Sequence, residues 1–296
     1  MYHLNTSDSN STFSWNFDSV VSSCVLGLCC LVGIPGNIAV IMRVLHNYKK
    51  VNFTLQLMLN LAISDLLSLL TLPVSIYSLL HGWNFGRVLC KLFSYTVYCC
   101  LYTNVLMVTL MSVHRYLAVL YEQLWARLQR TGEWMLLLSI WVLACLLASP
   151  NIFTRDIVDK KKLLRCQKSR ISDGVKVAIL FMETLLGFVV PFSILVTTYF
   201  CLHKKVNQTA FFSNQRMTRL VTSIVVTFFI LWFPAHVINL LDIITTLLRE
   251  SQPSVYEKLK TFRRAGGDIA KTLTFINSCV NPFLYAFALR PRSRNS

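Results

Sequence analysis

Residues 90–121 read CKLFSYTVYCCLYTNVLMVTLMSVHRYLAVLY and form a long, mostly apolar segment. It contains no charged residue between Leu92 and Val113, which is long enough for a helix to cross a bilayer core of about 30 Å. Asn104 lies in the middle, where an unpaired amide in hydrocarbon costs several kcal/mol. The segment therefore predicts a membrane-spanning helix whose polar side faces other parts of the protein.

The composition of the whole chain argues against a soluble globular protein. Of its 296 residues, 54% are hydrophobic and 14% are charged, whereas a typical soluble protein has about 25% charged residues. The net charge of +16 favours an anionic partner. The basic residues lie in short runs between apolar spans, which argues against nucleic acid. No catalytic set or metal-ligating cluster can be assembled at one depth, so we predict neither an enzyme nor a metal centre.

Seven apolar spans predict an all-α, seven-transmembrane helix bundle. Each contains about 18 or more residues with few or no charges, and an odd number places the termini on opposite sides. The predicted domains are an outer tail (1–18), a transmembrane domain (19–289) and a short cytoplasmic tail (290–296). The spans cover residues 20–45, 53–80, 88–120, 133–151, 174–202, 218–248 and 266–289.

The first span sets the expected orientation. No Lys or Arg precedes it, and Arg43, Lys49 and Lys50 follow it, so the positive-inside rule places the N-terminus outside. The outer tail is polar and contains two glycosylation sequons, at Asn5 and Asn10. We therefore predict a multi-pass protein of the plasma membrane with a glycosylated outer tail.

Positive charge is also unusually abundant on the outer side, in residues 151–176 and 249–271. These charges could simply belong to solvated loops. Taken together, they would form a cationic funnel over the mouth of the bundle, which favours an anionic ligand.

Motifs in each span resemble those of the rhodopsin-like family of G-protein-coupled receptors. The resemblance covers nearly the whole chain, and one motif in each of seven spans is far more specific than any single one. The residues that carry it are Gly36-Asn37, the run Asn60 to Asp65, Cys90, His114-Arg115-Tyr116, Trp141, Pro150, Pro191, Tyr199, Phe228, Trp232, Pro234, Asn277, Asn281-Pro282 and Tyr285.

The resemblance implies an internal polar cluster around Asp65, a lone carboxylate in mid-membrane. Such a group is costly unless polar side chains surround it, and Asn37, Asn104, Asn277 and Asn281 are the expected partners. In the family this cluster binds a sodium ion in the inactive state. A purely structural polar network is the alternative, and we predict no other cofactor.

The resemblance also implies a set of switch residues. Pro234 and Pro282 lie inside spans and would kink their helices, because proline removes a backbone hydrogen bond. Such kinks allow the inner half of span six to swing, and Phe228 lies one turn from Trp232 on the same face. The expected switch residues are Arg115, Tyr199, Phe228, Trp232, Pro234 and Tyr285.

Two of the ten cysteines stand apart from the others. Eight lie in or at the edge of apolar spans, where small core side chains are expected, but Cys90 and Cys166 lie near aqueous segments on one side. They form one candidate extracellular disulfide, and they match the family's bridge from span three to the second outer loop.

Longer runs resemble the leukotriene B4 receptors, within the chemoattractant branch of the family. These runs are WVLACLLASP in span four, FMETLLGFVVPF in span five and LWFPAHVINL in span six. The resemblance implies a hydroxylated fatty-acid anion as ligand and a heterotrimeric G protein of the inhibitory type as partner. A chemoattractant peptide, chemokine or nucleotide is the alternative ligand.

The same resemblance assigns ligand-binding residues. Arg155 and Lys176 would attract the carboxylate of the ligand, and Glu183, His236 and Asn239 would bond its hydroxyl groups. A salt bridge between helices is the alternative for Glu183, and an ordinary core histidine is the alternative for His236. The apolar wall for the hydrocarbon would consist of Tyr95, Val97, Tyr98 and Tyr102.

Several positions depart from the family pattern. His114 replaces the acid that normally pairs with Arg115, which predicts raised basal activity. Glu122-Gln123 replaces the usual proline and apolar residue of the second inner loop, so coupling strength is in doubt. Ser94 stands where the leukotriene group has His. The sequence ends eleven residues after Tyr285, which is too short for the family's amphipathic eighth helix, so we expect either an incomplete C-terminus or a naturally short tail.

Overall fold

The computed structural model describes residues 17–46, 52–160, 163–169, 171–206, 215–249 and 251–289. The predicted glycosylation sites Asn5 and Asn10 and the predicted tail 290–296 lie outside these residues. The helices are α1 (Phe17–His46), α2 (Phe53–Leu70), α3 (Leu72–His81), α4 (Gly86–Leu120), α5 (Glu122–Ala148), α6 (Pro150–Thr154), α7 (Asp173–Thr184), α8 (Val190–Val206), α9 (Gln215–Leu247) and α10 (Pro253–Leu289).

The predicted spans are present as long apolar helices. In the part of the chain that the structure describes, six helical segments are long and apolar enough to cross a membrane. They lie within α1, α2–α3, α4, α5–α6, α7–α8 and α9. The further helix, α10, contains the seventh predicted span. Polar residues occur along the middle of this helix. The helix begins at Pro253, before the predicted span, because a charged segment that precedes the apolar part is also helical.

The second span is broken into α2 and α3 at Thr71. The Thr71 hydroxyl donates to the carbonyl oxygen of Ser68 at 2.6 Å, and Pro73 follows in the first turn of α3. Proline is tolerated there because the first-turn amides have no partner within a helix.

The fifth span contains a π-helical turn, Leu185–Val189, between α7 and α8. Pro191 follows this turn, and its ring would clash with the carbonyl of Gly187 in a regular α-helix. A π-helical turn relieves that clash and widens the helix locally.

A β-hairpin covers the outer end of the bundle. Strands β1 (Arg155–Lys160) and β2 (Leu163–Lys168) pair antiparallel, with Arg155 opposite Lys168. The predicted disulfide is formed between Cys90 and Cys166, so the hairpin is fixed to the outer end of α4. The end of the bundle that carries this disulfide is called the outer end below.

Close helix packing brings the motif residues together. A side chain at Gly36 would place its Cβ 3.1 Å from the ring of Pro282, so the absence of one lets α1 approach α10. Trp141 in α5 donates its indole N–H to Asn60 Oδ1 in α2 at 3.0 Å. The main apolar core lies between α1, α2, α4, α9 and α10, and Phe228 and Tyr285 are buried in it.

Candidate ligand pocket and transmission core

Asp65 lies at the centre of the bundle and is fully buried. Asn104 Nδ2 in α4 donates to Asp65 Oδ1 at 2.8 Å, and Asn281 Nδ2 in α10 donates to Oδ2 at 2.7 Å. The carboxylate therefore joins α2, α4 and α10, and these two amides supply the polar partners that a buried acid needs.

The other two predicted members of this cluster differ. Asn37 does not contact Asp65, but donates to the carbonyl oxygens of Gly33 at 2.9 Å and Ser278 at 3.0 Å. Asn277 is buried nearby on α10. The structure thus brings Asn104 and Asn281 onto Asp65, and it uses Asn37 to tie α1 to α10.

Several buried oxygen atoms of this region have no hydrogen-bond partner among the described residues, and three of them belong to α2, α4 and α10 side chains near Asp65. These three are Ser68 Oγ, Asn104 Oδ1 and Asn277 Oδ1. Carboxylate, hydroxyl and amide oxygens are the ligands that hard cations prefer. The side chains present therefore fit a small cation such as sodium.

The aromatic residues of α9 form a continuous stack. The rings of Phe228 and Trp232 are 4.8 Å apart with 23° between their planes, and Trp232 lies 6.1 Å from His236. Phe188, in the π-helical turn, stacks on the other side of His236 at 4.8 Å. Pro234 lies within this stacked region, so a change at its outer end can reach the buried core.

The inner end of the bundle holds the remaining switch residues. Arg115 and Tyr285 are buried, whereas Tyr199 is largely exposed. The hydroxyl groups of Ser112 and Thr198 lie 3.0 Å apart and link α4 to α8 beside this region.

His114 takes the place of an acid and contacts α2 instead of pairing as a carboxylate would. Its Nδ1 lies 3.4 Å from Thr54 Oγ1, and its ring meets the edge of Phe53 at 5.1 Å. Both the imidazole and the neighbouring Arg115 are buried. The residue that precedes Arg115 is therefore a buried imidazole and not a carboxylate.

Arg155 lies at the start of β1, directly above the predicted pocket. Its Nη2 donates to the hydroxyl of Tyr98 at 3.2 Å, and its guanidinium lies 5.5 Å from the centre of the same ring. The Nε of Arg155 is buried, without a hydrogen-bond partner among the residues described. Within that part of the chain Arg155 forms no ion pair, so its charge can accept an anion.

The three tyrosines predicted to line the ligand site lie together where α4 packs against α5. Tyr102 is buried in a cluster with Cys99, Ala144 and Ala148 between α4 and α5. Tyr95 and Tyr98 pack against this cluster, whereas Val97 is half-buried outside it. Ser94 is buried, and its Oγ lies 3.6 Å from Cys166 Sγ.

Lys176 and Glu183, the other two charged residues predicted to bind the ligand, already have partners within the protein. Lys176 Nζ lies 2.7 Å from Asp242 Oδ1 and 2.9 Å from Thr246 Oγ1. Glu183 accepts from Lys168 Nζ at 3.0 Å, so it links α7 to β2. Lys176 and Glu183 therefore fasten the outer end of the bundle, and a ligand would have to share them.

His236 is buried, with 6% of its surface exposed, and neither ring nitrogen has a hydrogen-bond partner among the described residues. Asn239 is half-buried on the next turn of α9. A buried imidazole without a partner costs free energy, which a hydrogen-bonding ligand would recover.

The chain matches the family described as 7 transmembrane receptor (rhodopsin family) over residues 36–285. The chain belongs to this family. The match includes every motif from Gly36 to Tyr285, and α10 is therefore the seventh transmembrane helix.

Individual relatives of this receptor are about one-third identical to it. Leukotriene B4 receptor 1 of Homo sapiens is 33% identical over 92% of this chain and 78% of its own length. The same receptor of Rattus norvegicus is 35% identical over 91% of this chain and 77% of its own length. The C3a anaphylatoxin chemotactic receptor of Oncorhynchus mykiss is 30% identical over 90% of this chain and 73% of its own length.

Membership of the family fixes the general activity of the receptor. It is a G-protein-coupled receptor and not an enzyme. It is a multi-pass protein of the plasma membrane whose partners are a ligand and a G protein. These predictions from the sequence are confirmed.

Asp242 is a functional candidate of this receptor that was not predicted from the sequence, and its partner Arg263 belongs to the basic outer segment 249–271. Asp242 Oδ1 accepts both Lys176 at 2.7 Å and Arg263 at 2.6 Å, and so ties α7, α9 and α10 together. The sequence could have indicated Asp242, because it is a lone carboxylate in the apolar run INLLDIITTLL. That is the same signal that drew attention to Asp65.

Proposed function

We propose that the receptor binds leukotriene B4 or a closely related hydroxylated fatty acid. The observation that carries this proposal is Arg155, a partly buried cation that contacts Tyr98 of the predicted apolar wall and has no ion pair among the described residues. A guanidinium pairs with a carboxylate through charge-assisted hydrogen bonds, which are about twice as strong as neutral ones.

The remainder of the pocket suits the rest of such a ligand. Tyr95, Tyr98 and Tyr102 offer an apolar surface for the hydrocarbon. His236 offers ring nitrogens that have no described partner, and these can bond a hydroxyl group. A site built for hydroxyl groups rejects analogues that lack them, because its buried polar atoms are then left unpaired.

Ligand binding would reach the cytoplasm through α9. A hydroxyl bonded to His236 changes the stack that continues through Trp232 to Phe228. Pro234 lets the helix bend at this level, so the inner half of α9 can swing and open the surface beside Arg115. The partner would be a heterotrimeric G protein of the inhibitory type.

The test is nucleotide exchange on G proteins in membranes that contain the receptor. Leukotriene B4 should stimulate exchange, and pertussis toxin should block the stimulation. The methyl ester of leukotriene B4, which lacks the carboxylate charge, should be at least about tenfold weaker. Equal potency of the acid and its ester would contradict the proposed role of Arg155.

A chemoattractant peptide, chemokine or nucleotide is the second candidate ligand. The relationship to the C3a anaphylatoxin chemotactic receptor and the cationic outer loops favour it. An Arg155 variant would not separate the two candidates, since both ligand classes carry anionic groups. Stimulation of nucleotide exchange by leukotriene B4, with none by chemoattractant peptides, chemokines or nucleotides, would separate them.

We also propose a sodium ion at Asp65 in the resting receptor. Ser68, Asn104 and Asn277 each present a buried oxygen without a described partner in this region. When bound, the ion would supply positive charge that stabilises the carboxylate. These residues would hold α2, α4 and α10 in their resting arrangement.

A further inference from the structure

Two cations lie side by side on one face of the β-hairpin. Arg155 in β1 stands directly opposite Lys168 in β2. Residues opposite each other in an antiparallel pair project from the same face, with Cβ atoms about 5 Å apart. Cys166 projects from this face too, because successive residues of a strand alternate. Its disulfide to Cys90 therefore turns the face that carries both cations towards α4.

The contacts of the two cations agree with this orientation. Arg155 Nη2 donates to the Tyr98 hydroxyl of α4 at 3.2 Å. Lys168 Nζ donates to both carboxylate oxygens of Glu183 in α7, at 3.0 and 3.3 Å. The side chain of Lys168 is 24% exposed and that of Glu183 is 11% exposed, so salt screens these charges only weakly. The hairpin thus holds two partly buried positive charges together above α4 and α7.

The acids around these two cations do not balance them. Like charges that lie directly opposite each other destabilise a β pair. Among the described residues, Glu183 pairs with Lys168, and no acid pairs with Arg155. Asp156 follows Arg155 in the chain but projects from the other face, where it pairs with Arg87 at 2.8 Å. The group Arg155, Lys168 and Glu183 therefore carries a single excess positive charge, which one bound carboxylate would neutralise.

We propose that Lys168 is a second cation for the ligand carboxylate, which lies between it and Arg155. A carboxylate has two acceptor oxygens, so it can bond both cations at once. Glu183 competes with the ligand for the Lys168 ammonium and thereby limits the site to a head group with one negative charge. This inference rests on the proposed function, because it concerns the anionic end of the same ligand.

The proposal predicts opposite effects for the two members of the ion pair. Lys168→Met should weaken the affinity for leukotriene B4 about tenfold relative to its methyl ester, because a cation is lost. Glu183→Gln should strengthen it about threefold to tenfold relative to the ester, because the ammonium is released. If the pair only fastened the hairpin, breaking it from either side would change acid and ester alike, and in the same direction.

Ligand-dependent thermal shifts of purified receptor in detergent give the two affinities of each variant. The ratio of acid to ester affinity cancels the contacts to the hydrocarbon and hydroxyl groups, which both ligands share. Lys168→Arg keeps the charge and should preserve the ratio. Arg87→Met is the matched control, since it also removes a cation and breaks an ion pair of the hairpin, but on the other face. It should leave the ratio unchanged, and the melting temperature without ligand confirms folding.

Two results would overturn this inference and leave the proposed function in place. They are binding of leukotriene B4 whose acid-to-ester ratio is indifferent to Lys168→Met, and a ratio that falls in Glu183→Gln. A wild type that does not bind leukotriene B4 would contradict the proposed function. Arachidonic acid and its methyl ester then report on the anion site alone, with the same opposite effects expected. No preference for the acid in either ligand pair would overturn the site as well.

Discussion

His114 is a single residue that changes the expected resting state of the receptor. It is buried beside Arg115 and contacts Thr54 and Phe53 of α2, where a carboxylate would hold the arginine. An imidazole attracts a guanidinium far less than a carboxylate does. We therefore expect the inactive state of the receptor to be less stable than it would be with an acid at position 114.

We predict basal GDP–GTP exchange above that of mock-transfected membranes, and a decrease in His114→Asp. An added ion pair that stabilises the resting state by about 1 kcal/mol lowers the active population about fivefold. His114→Asn is the matched control, since it is polar but carries no charge. Basal exchange equal to that of mock membranes in the wild type would contradict this prediction.

Asp65 gives a second prediction at the scale of one residue. Replacing sodium with N-methylglucamine at equal ionic strength should raise the basal exchange of the wild type. Asp65→Asn should remove this sensitivity, because an amide offers the ion no negative charge. Ser68→Ala removes one neutral oxygen and should only weaken the effect. A wild type indifferent to sodium would count against the proposed ion site.

The sequence predicts which polar residues lie inside the membrane spans, but it does not predict which of them form hydrogen bonds with each other. Asp65 stands out as a lone carboxylate in an apolar span, and Asn104 and Asn281 reach it as expected. Asn37 donates to the backbone of Ser278 instead. The sequence gives the depth of each polar group, but the rotation of each helix decides which group meets which.

At the scale of elements, the β-hairpin depends on one covalent link. The Cys90–Cys166 disulfide joins residues 76 apart and holds β2 against α4. We predict that Cys166→Ser lowers stability by about 2–4 kcal/mol, because the link restricts the unfolded chain. The measurement is the melting temperature of purified receptor in detergent. Cys145→Ser, which removes a free thiol, is the control and should change it much less.

The Lys168–Glu183 ion pair decides whether Glu183 serves the hairpin or the ligand. The pair is 3.0 Å long and largely buried, and it ties β2 to α7. A double-mutant cycle with Lys168→Met and Glu183→Gln should show a coupling of about 1–2 kcal/mol in thermal stability without ligand. A coupling near zero, together with lost ligand affinity in Glu183→Gln, would assign Glu183 to the ligand alone.

Hydropathy predicts where helices cross the membrane, because backbone groups in lipid must be paired within the helix. It does not predict where helices end in water, and α10 accordingly begins at Pro253, before the apolar span. The hairpin and the π-helical turn Leu185–Val189 were also missed. The hairpin depends on a contact distant in sequence, the disulfide to Cys90, whereas the π-helical turn relieves the clash of Pro191 with the carbonyl of Gly187, which hydropathy does not register.

At the scale of the whole molecule, the outer pocket and the inner surface are joined by α9. His236, Trp232 and Phe228 stack along this helix, and Pro234 interrupts its backbone hydrogen bonds. The outer ends of α7, α9 and α10 are tied through Asp242. A bundle fixed at one end and kinked in the middle can move at the other, as a receptor of this family must.

We claim that Arg155 receives the carboxylate of an anionic lipid, and the measurement for this claim is saturation binding of radiolabelled leukotriene B4. Wild-type receptor at the cell surface should bind saturably, and Arg155→Ala should weaken affinity about tenfold to a hundredfold. Lys260→Ala removes the same charge from an exposed outer position and should leave affinity unchanged. Saturable binding indifferent to Arg155→Ala, or no binding by wild type shown to reach the surface, would contradict the claim.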